Sequence, residues 1–331
     1  MVPRAARRAG GVLRRPGTLV ALVATVICSA LGTAFAGPRV VVTVKPLHSL
    51  VAGVMAGVGE PDLIIRGAGS PHTYSLKPSE AGLLEHAQVI FWVGDSLETF
   101  MQKPLAALGT KARIVQAMQV PGIKLLPGRA GGAWGEHDDA GLDHLRGEEA
   151  GHAGGHGSGA YDGHLWLDPA NARIVAREAA AVLGQIDPEN RGRYAANAAA
   201  LVARIDDLDV ELKAALAPVR DIPFVVFHDA YQYFEKSYAL RAVGSITVSA
   251  ERKPGAKRVK DIRDAIISVG ARCVFSEPQF SSAILGTLLE GTNTRTGTLD
   301  PLGAGLPAGP DAYFTLMRSL GSSLAGCLLA R

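Results

Sequence analysis

Three histidines lie far apart in the sequence, each where a run of apolar residues gives way to a loop or the start of a helix. They are His72 in SPHTYSLKPS, His164 in HLWLDP and His228 in FVVFHDAYQYFEK. A strand that ends in histidine can point an imidazole into the cleft between the halves of an α/β protein. Three imidazoles with one oxygen suit tetrahedral zinc. A single histidine of this kind is more often a packed or surface residue, but three in one context favour a metal site.

Residues 1–36 have the pattern of a secretory signal peptide. The first 17 residues contain five arginines and no acidic residue, and the uncharged stretch TLVALVATVICSALGTAFAG follows them. A positive start, an apolar middle and the small-residue ending Ala34-Phe35-Ala36 before Gly37 are the parts of such a signal. A retained membrane anchor is the alternative, since the apolar run is nearly long enough to span a bilayer. The ending favours export with cleavage near Ala36–Gly37.

The basic character of the chain belongs to this leader. The whole sequence has a formal charge of +3, but removing the five leader arginines from the 34 basic residues leaves 29 against 31 acidic ones, a net charge of −2. The mature chain has no basic stripe with interleaved aromatic residues. Nucleic-acid binding is therefore not expected.

Two cysteines, Cys273 and Cys327, remain after the leader. An even number of cysteines in an exported chain predicts a disulfide in an oxidising compartment. It would tie the strand ARCVFSEP to the C-terminal helix ending SSLAGCLL. A two-cysteine metal site is the alternative, but no CxxC and no nearby histidine supports it.

The mature chain, at about 295 residues, is too long for a typical single core and suggests two domains. Short apolar segments alternate with longer helical ones: VVVTVKP, DLIIRG and VIFWVGD are typical of strands in the first half, and FVVFHD, AVGSIT, CVFSEP and TGTLDP in the second. This alternation predicts an α/β fold of parallel sheets covered by helices. We place an N-terminal lobe at 37–186 and a C-terminal lobe at 220–331.

A long amphipathic helix is predicted between the lobes, at 187–219. Asp187 can cap it, Pro188 suits its first position and Pro218 ends it. Apolar residues recur at a spacing of three or four along one face: Leu201, Ile205, Leu208, Leu212 and Leu216. About 30 helical residues would span about 45 Å. A rigid connector of this kind implies little hinge motion.

The segment 128–163 is dominated by glycine, acidic residues and histidine. Twelve glycines, seven acidic residues and two arginines give it a net charge of −5 and almost no apolar periodicity, which predicts a mobile surface loop. Its four central histidines are His137, His144, His152 and His156. Fixing four ligands in a glycine-rich tract would cost much conformational entropy, so we expect them to gather zinc weakly and pass it on. A solvated linker with incidental histidines is the alternative.

Six longer motifs follow one another in order along residues 38–328: SPHTYSLKPSE, VIFWVGDSLETFMQKPL, HLWLDP, FHDAYQYFEK, CVFSEPQF and TGTLDPLG. They resemble the substrate-binding proteins of high-affinity zinc-uptake ABC transporters, the ZnuA type. The resemblance implies two (β/α) lobes joined by one long backbone helix, with Zn²⁺ in the cleft. It implies that His72 and His164 are ligands from the first lobe and His228 from the second. The implied partners are a membrane permease and its cytoplasmic ATPase, and we expect a monomer.

The fourth ligand is suggested by the same resemblance. In the wider family, which includes manganese binders, an aspartate of the second lobe can complete the site, and Asp300 in TGTLDPLG occupies that motif. Some zinc members use an acidic residue beside the first histidine, but here the neighbours are Pro71 and Thr73. Glu277 in SEPQF is expected to support the site or the fold. Glu277 as a ligand and a water molecule stay open as alternatives.

The donor set favours zinc over manganese, which prefers carboxylates and higher coordination. The manganese-type relatives have a carboxylate where His228 stands. Another divalent metal stays open, since copper and nickel bind imidazole at least as well. A zinc hydrolase is the rival class, because three histidines and a water also form a catalytic site. The sequence has no HExxH and no GxSxG motif, so we expect a binding protein and not an enzyme. An adhesin is a third possible class, but it has no sequence feature of its own.

Overall fold

The computed structural model of the protein describes residue 1 and the ranges 37–129, 161–247, 255–280 and 283–330. Residues 2–36 of the predicted signal peptide and the histidines His137, His144, His152 and His156 lie outside these ranges. Within them, no helix is both long enough and apolar enough to cross a membrane.

Four parallel strands form the sheet of the first lobe, in the order β2-β1-β3-β4. They are β1 (Val40–Val42), β2 (Asp62–Leu63), β3 (Val89–Trp92) and β4 (Arg113–Gln116). The two central strands are buried along their whole length. Helices cover both faces of such a sheet, which is why VVV and VIFW show no polar alternation.

The second lobe repeats the arrangement with four parallel strands in the order β6-β5-β7-β8. They are β5 (Phe224–Val226), β6 (Ala242–Ser245), β7 (Cys273–Ser276) and β8 (Arg295–Thr298). The predicted α/β fold with two parallel sheets is confirmed. In a sheet of this order, the strand sequence reverses between β5 and β7, and the loops at their carboxyl ends border a crevice that can hold a ligand.

Eight helices flank the two sheets in the described residues. The first lobe has α1 (Lys45–Met55), α2 (Pro78–His86), α3 (Gln102–Leu108) and α4 (Pro169–Ile186). After the linking helix α5 (Arg191–Leu216), the second lobe has α6 (Gln232–Tyr238), α7 (Ala256–Val269), α8 (Ala283–Leu289) and α9 (Ala312–Leu329). The C-terminal helix α9 packs against both α1 and α5, so the chain end returns to the first lobe.

The long helix α5 matches the linking helix predicted at 187–219. Its 26 residues span about 39 Å at the rise of an α-helix. The predicted apolar stripe is buried in full: Leu201, Ile205, Leu208, Leu212 and Leu216. The predicted start is wrong in detail, because Pro188–Asn190 form a separate 3-10 turn and Asp187 makes no capping hydrogen bond. The Asp187 carboxylate accepts instead from the Asn190 amide and the Tyr194 hydroxyl, both at 2.8 Å.

One large apolar core runs through both lobes, and a second, smaller core lies on the outer face of the second sheet. Because side chains alternate along a strand, Phe224 and Val226 of β5 enter the large core while Val225 and Phe227 enter the small one. The small core holds α7 and α8 on the sheet through few residues, chiefly Ile262 and Ile266 of α7 and Leu285 and Leu288 of α8.

The predicted disulfide between Cys273 and Cys327 is present, with Cα atoms 6.4 Å apart. It joins β7 to α9, which is packed on the first lobe. The cysteines are 54 residues apart. Closing a loop of that length restricts the unfolded chain, and this loss of entropy stabilises the folded state by about 4 kcal/mol. The bond therefore ties the second sheet to the part of the chain that both lobes share.

Candidate metal centre

The three predicted histidines meet in the cleft between the lobes. Within the described part of the chain, the ring nitrogens that His72, His164 and His228 can offer a metal all lie within 4.8 Å of one another. Their ring centroids are 5.2 to 5.7 Å apart. Residues separated by more than 150 positions in the sequence are thus brought to one point.

The spacing of two of these nitrogens fits a zinc ion. Zinc–nitrogen bonds of about 2.0–2.1 Å in a tetrahedron separate neighbouring ligand atoms by about 3.3–3.4 Å. The Nε2 atoms of His164 and His228 are 3.4 Å apart. The cavity among the rings has a volume of about 10 Å³, which is the room that one water molecule or one ion needs.

Each histidine reaches this point by a different local structure. His228 lies two residues after the end of strand β5, as the strand-end pattern predicts, at the carboxyl edge where the strand order reverses. His72 lies in the long loop between β2 and α2, and His164 precedes the 3-10 turn Leu165–Leu167. The expectation that a histidine ends a strand therefore holds for one of the three.

The turn after His164 is fixed by contacts with the second lobe. The Trp166 indole N–H donates to the backbone oxygen of Pro301 at 2.9 Å, and the Tyr313 hydroxyl donates to the backbone oxygen of Trp166 at 3.1 Å. Before the turn, a Cβ atom at Gly163 would lie 2.7 Å from the Cβ of Leu97. Only glycine allows the chain to pass Leu97 this closely, and the imidazole of His164 is placed accordingly.

Two carboxylates lie behind two of the imidazoles. Asp162 Oδ1 is 2.8 Å from Nδ1 of His164, and Glu277 Oε1 is 2.7 Å from Nδ1 of His228. Because a carboxylate accepts, each Nδ1 carries the proton and each Nε2 presents a lone pair to the cavity. In this structure Glu277 is therefore engaged with His228, and its part in metal binding stays a prediction. Asp162 was not predicted, although its place two residues before a histidine was the available signal.

The buried setting keeps two of the rings neutral. Burial lowers the pKa of His72 and of His164 well below 6.5, and the neighbouring imidazoles lower both further. Burial is the largest single influence on His228 and acts in the same direction, but the carboxylates of Glu277, Asp229 and Asp162 together outweigh it and raise the pKa of His228. Neutral imidazole is the form that binds a metal, so His72 and His164 are in the binding form at neutral pH, and His228 binds a cation when its own proton is lost.

Asp300 is not brought into the group of three histidines. Its Oδ1 accepts hydrogen bonds from the Gln279 amide at 2.9 Å and from the backbone N–H groups of Leu302 and Gly303 at 3.1 and 2.9 Å. Its Oδ2 accepts from the backbone N–H of Ala304 at 2.6 Å. In this conformation the carboxylate organises the turn after β8, and its role as fourth ligand stays a prediction.

The other histidines of the described residues do not join the centre. His48 donates from Nε2 to the backbone oxygen of Pro61 at 2.9 Å, and His86 lies on α2 with Nδ1 2.9 Å from the backbone oxygen of Gly82. Both rings therefore contact the backbone of their own region and not the centre. The predicted loop histidines His137, His144, His152 and His156 lie outside the described residues.

Comparison with known proteins decides the family. Residues 40–327 match the family model described as the periplasmic component A of zinc-uptake complexes. The chain belongs to this family. It is 48% identical over 316 residues to the high-affinity zinc uptake system protein ZnuA of Brucella abortus (strain 2308), an alignment covering 90% of this chain and 94% of that protein.

Two solved structures share the fold. A crystal structure of ZnuA superimposes with a TM-score of 0.72 at 24% identity, covering 88% of this chain and 99% of that one. The solute-binding protein FpvC from Pseudomonas aeruginosa, in complex with Mn²⁺, has a TM-score of 0.73 at 19% identity, covering 88% of this chain and 98% of that one. Both likenesses establish the two-lobed architecture, and the metal that each protein binds is a property of that protein.

Proposed function

We propose that this protein captures Zn²⁺ in the cleft between its lobes and delivers it to the membrane permease of an ABC transporter for import. The observation that carries the proposal is the group of three histidines whose ring nitrogens lie within 4.8 Å of one another. Two of these histidines precede the linking helix and one follows it. A single ion at that point would bind both lobes at once, which suits a protein that must hold its cargo and then release it.

The donor set supports zinc as the cargo. Three imidazole nitrogens are borderline donors that suit zinc, whereas manganese prefers several oxygen ligands. Among the described residues, the group contains no carboxylate. The family description and the 48% identity to a zinc uptake protein point the same way. Copper and nickel would compete for the same nitrogens, so the metal carried in the cell depends on supply as well as on affinity.

The proposed location is the periplasm, with the signal peptide removed near Ala36–Gly37. The disulfide between Cys273 and Cys327 supports an oxidising compartment, because cytosolic proteins rarely keep such bonds. We further propose that the mature chain acts as a monomer with an N-terminal lobe at 37–186 and a C-terminal lobe at 220–331. The transporter's permease and its cytoplasmic ATPase are the partners that this role requires.

A binding role also fits the site better than hydrolysis. The cavity among the imidazoles has room for about one ion, and its walls include Pro71, Phe280, Pro301 and Leu302. A metal hydrolase needs an open position for water and space for a substrate beside the metal. Asp162 and Glu277 are already engaged with imidazole nitrogens.

Delivery can be tested with cells that contain the transporter but lack this protein. Their outer membrane is removed, the mature chain is added, and the accumulation of radioactive zinc is measured. We expect the parent protein to restore uptake, the triple variant His72→Ala/His164→Ala/His228→Ala to fail, and the surface control His86→Gln to behave as the parent. A parent protein that binds zinc without restoring uptake would contradict delivery, and uptake restored by the triple variant would contradict the site.

A further inference from the structure

The two ends of the histidine-rich segment are joined to each other. We call residues 126–129 and 161–162 the stem, because they flank the segment between them. Pro127 and Tyr161 form an antiparallel bridge, and the Asp162 backbone N–H donates to the backbone oxygen of Leu126 at 2.8 Å. The stem therefore has a defined conformation, and it carries Asp162, whose carboxylate holds His164.

The stem lies on helix α6 of the second lobe. The Gln232 amide donates to the backbone oxygen of Pro127 at 2.9 Å. The Tyr233 hydroxyl accepts from the Leu126 N–H at 3.0 Å and donates to the backbone oxygen of Asp162 at 2.9 Å. Both strands of the stem are thus bound to the helix that begins four residues after His228.

Arg129 adds a charged contact between the same two parts. Its Nε is 3.0 Å from both carboxylate oxygens of Asp229, and its Nη2 also donates to that carboxylate. Its two terminal nitrogens donate to Glu235 at 2.8 and 2.9 Å. The side chains of Arg129, Asp229 and Glu235 are 20%, 13% and 8% exposed, so this ion cluster is largely removed from water.

These contacts connect the two histidines that have carboxylate partners. On one side, Arg129 belongs to the stem that carries Asp162, the partner of His164. On the other, it binds Asp229, the residue next to His228. We infer that Arg129 is a positioning residue for zinc binding, which fixes the segment carrying His228 against the stem and so sets the distance between the two imidazoles. This inference depends on the proposed function.

The chemistry of the side chain explains why an arginine occupies this position. A guanidinium group is planar and always charged, and it can bind two carboxylates at once through a rigid set of donors. Lysine would supply the charge but not the geometry. An exposed ion pair would contribute little, whereas removing one partner of a buried cluster leaves carboxylates without compensation and displaces the chain that carries them.

The test compares Arg129→Gln and Arg129→Lys with Arg173→Gln in the mature protein. Arg173 is a matched control, because it is 22% exposed and lies 2.8 and 3.8 Å from the carboxylates of Asp206 and Asp209, away from the histidines. Zinc affinity is measured by chelator competition and zinc dissociation by transfer to an excess of chelator. The visible spectrum of the Co²⁺-loaded protein reports the ligand geometry, which a purely structural role would leave unchanged.

Outer contacts of metal ligands typically change affinity by about 10–100-fold, and Arg129 is one contact further away. We therefore expect Arg129→Gln to raise the Kd for zinc about five- to tenfold, mostly through faster dissociation, and to alter the Co²⁺ spectrum. Arg129→Lys should raise the Kd about threefold, and Arg173→Gln should leave it within about twofold of the parent.

The outcomes separate this inference from the proposed function. If the parent has a tight zinc site that His72→Ala removes, but Arg129→Gln keeps the parental Kd and Co²⁺ spectrum, the positioning role is wrong and the function stands. If Arg129→Gln does not fold, Arg129→Lys decides, and an unchanged Kd in that variant overturns the inference. If the parent itself has no tight zinc site, the proposed function fails first.

Discussion

His164 and His228 come from opposite lobes and yet are held in the same way, whereas His72 is held differently. The first two each have a carboxylate at Nδ1, at 2.8 and 2.7 Å. The ring of His72 makes no hydrogen bond within the described part of the chain, and its Nε2 is buried without a partner. Two of the candidate ligands are therefore held by hydrogen bonds without a metal, and the third is not.

Because of this difference, removing the three rings should lower the stability of the fold by different amounts. Removing the ring of His164 or His228 takes one hydrogen bond from a buried carboxylate and leaves it the backbone N–H of the same residue, a loss of about 1–3 kcal/mol. Removing the ring of His72 leaves no such group among its described neighbours. Conversely, His72 loses side-chain freedom when it binds a metal, because no hydrogen bond has restricted it beforehand.

The largest expected effect is the loss of a ligand. His72→Ala, His164→Ala and His228→Ala should each raise the Kd for Zn²⁺ more than about a hundredfold, since a tetrahedral site loses one of its few bonds and outer contacts alone are worth up to that much. Chelator competition measures the affinity. In denaturant unfolding of the metal-free proteins, His72→Ala should be less destabilised than the other two by about 1–3 kcal/mol. Equal unfolding free energies in all three variants would contradict the claim that His72 is held differently from His164 and His228.

The carboxylates should have the next largest effect. Asp162→Asn and Glu277→Gln should each raise the Kd for zinc about 10–100-fold, because the hydrogen bond that orients the imidazole and strengthens it as a ligand is weakened. Glu211→Gln is the control, since this glutamate pairs with Arg318 on the surface, at 2.8 Å. The same competition assay applies. Affinities within twofold of the parent would show that the carboxylates do not orient the ligands.

The pH dependence of zinc affinity should follow the protonation of His228 before that of the other two histidines. Burial lowers the pKa of His228, but the carboxylates of Glu277, Asp229 and Asp162 together raise it above 6.5, whereas burial lowers the pKa of His72 and of His164. As the pH falls, His228 is therefore protonated first, and zinc affinity should begin to fall above pH 6.5. Glu277→Gln removes the strongest of the charges that raise this pKa, so in that variant the fall should begin at a lower pH. A midpoint that stays in place or rises in the variant contradicts this assignment.

The smallest expected effect concerns the histidine-rich segment. Deleting residues 131–159 should leave the Kd of the tight site within about twofold, because its three histidines lie outside that segment and the stem residues that contact α6 are kept. The deletion should remove weaker zinc equivalents, since His137, His144, His152 and His156 are the other clustered imidazoles of the sequence. Calorimetric titration of parent and deletion distinguishes the two classes of site. A tight site lost with the segment would place the chemistry there.

That three histidines form one group could be predicted from the sequence, because each lies in a distinctive motif. The linking helix was predictable from the spacing of Leu201, Ile205 and Leu208, which the structure buries. The parallel sheets followed from continuous apolar runs such as VIFW, buried along its length. These signals are local, because a strand buried on two faces or a helix buried along one stripe shows its pattern within a short stretch of the sequence.

The supporting contacts could not be predicted in the same way, because they depend on which segments meet in space. The pairing of Arg129 with Asp229 and Glu235 spans about a hundred residues, and nothing in its local sequence distinguishes it from the second arginine of the same segment. Asp300 shows the opposite case, in which a local motif was clear but the position of the side chain was not. Its motif suggested a ligand, whereas its conformation here directs both oxygens to Gln279 and to the backbone of the following turn.

The central claim is that one zinc ion binds between the lobes on these three histidines. Its most direct test is anomalous diffraction at the zinc edge from crystals of the mature protein loaded with one equivalent of Zn²⁺. The account predicts one dominant peak, about 2.0–2.1 Å from a ring nitrogen of each of His72, His164 and His228. A dominant peak elsewhere, with these three rings free of metal, would contradict it.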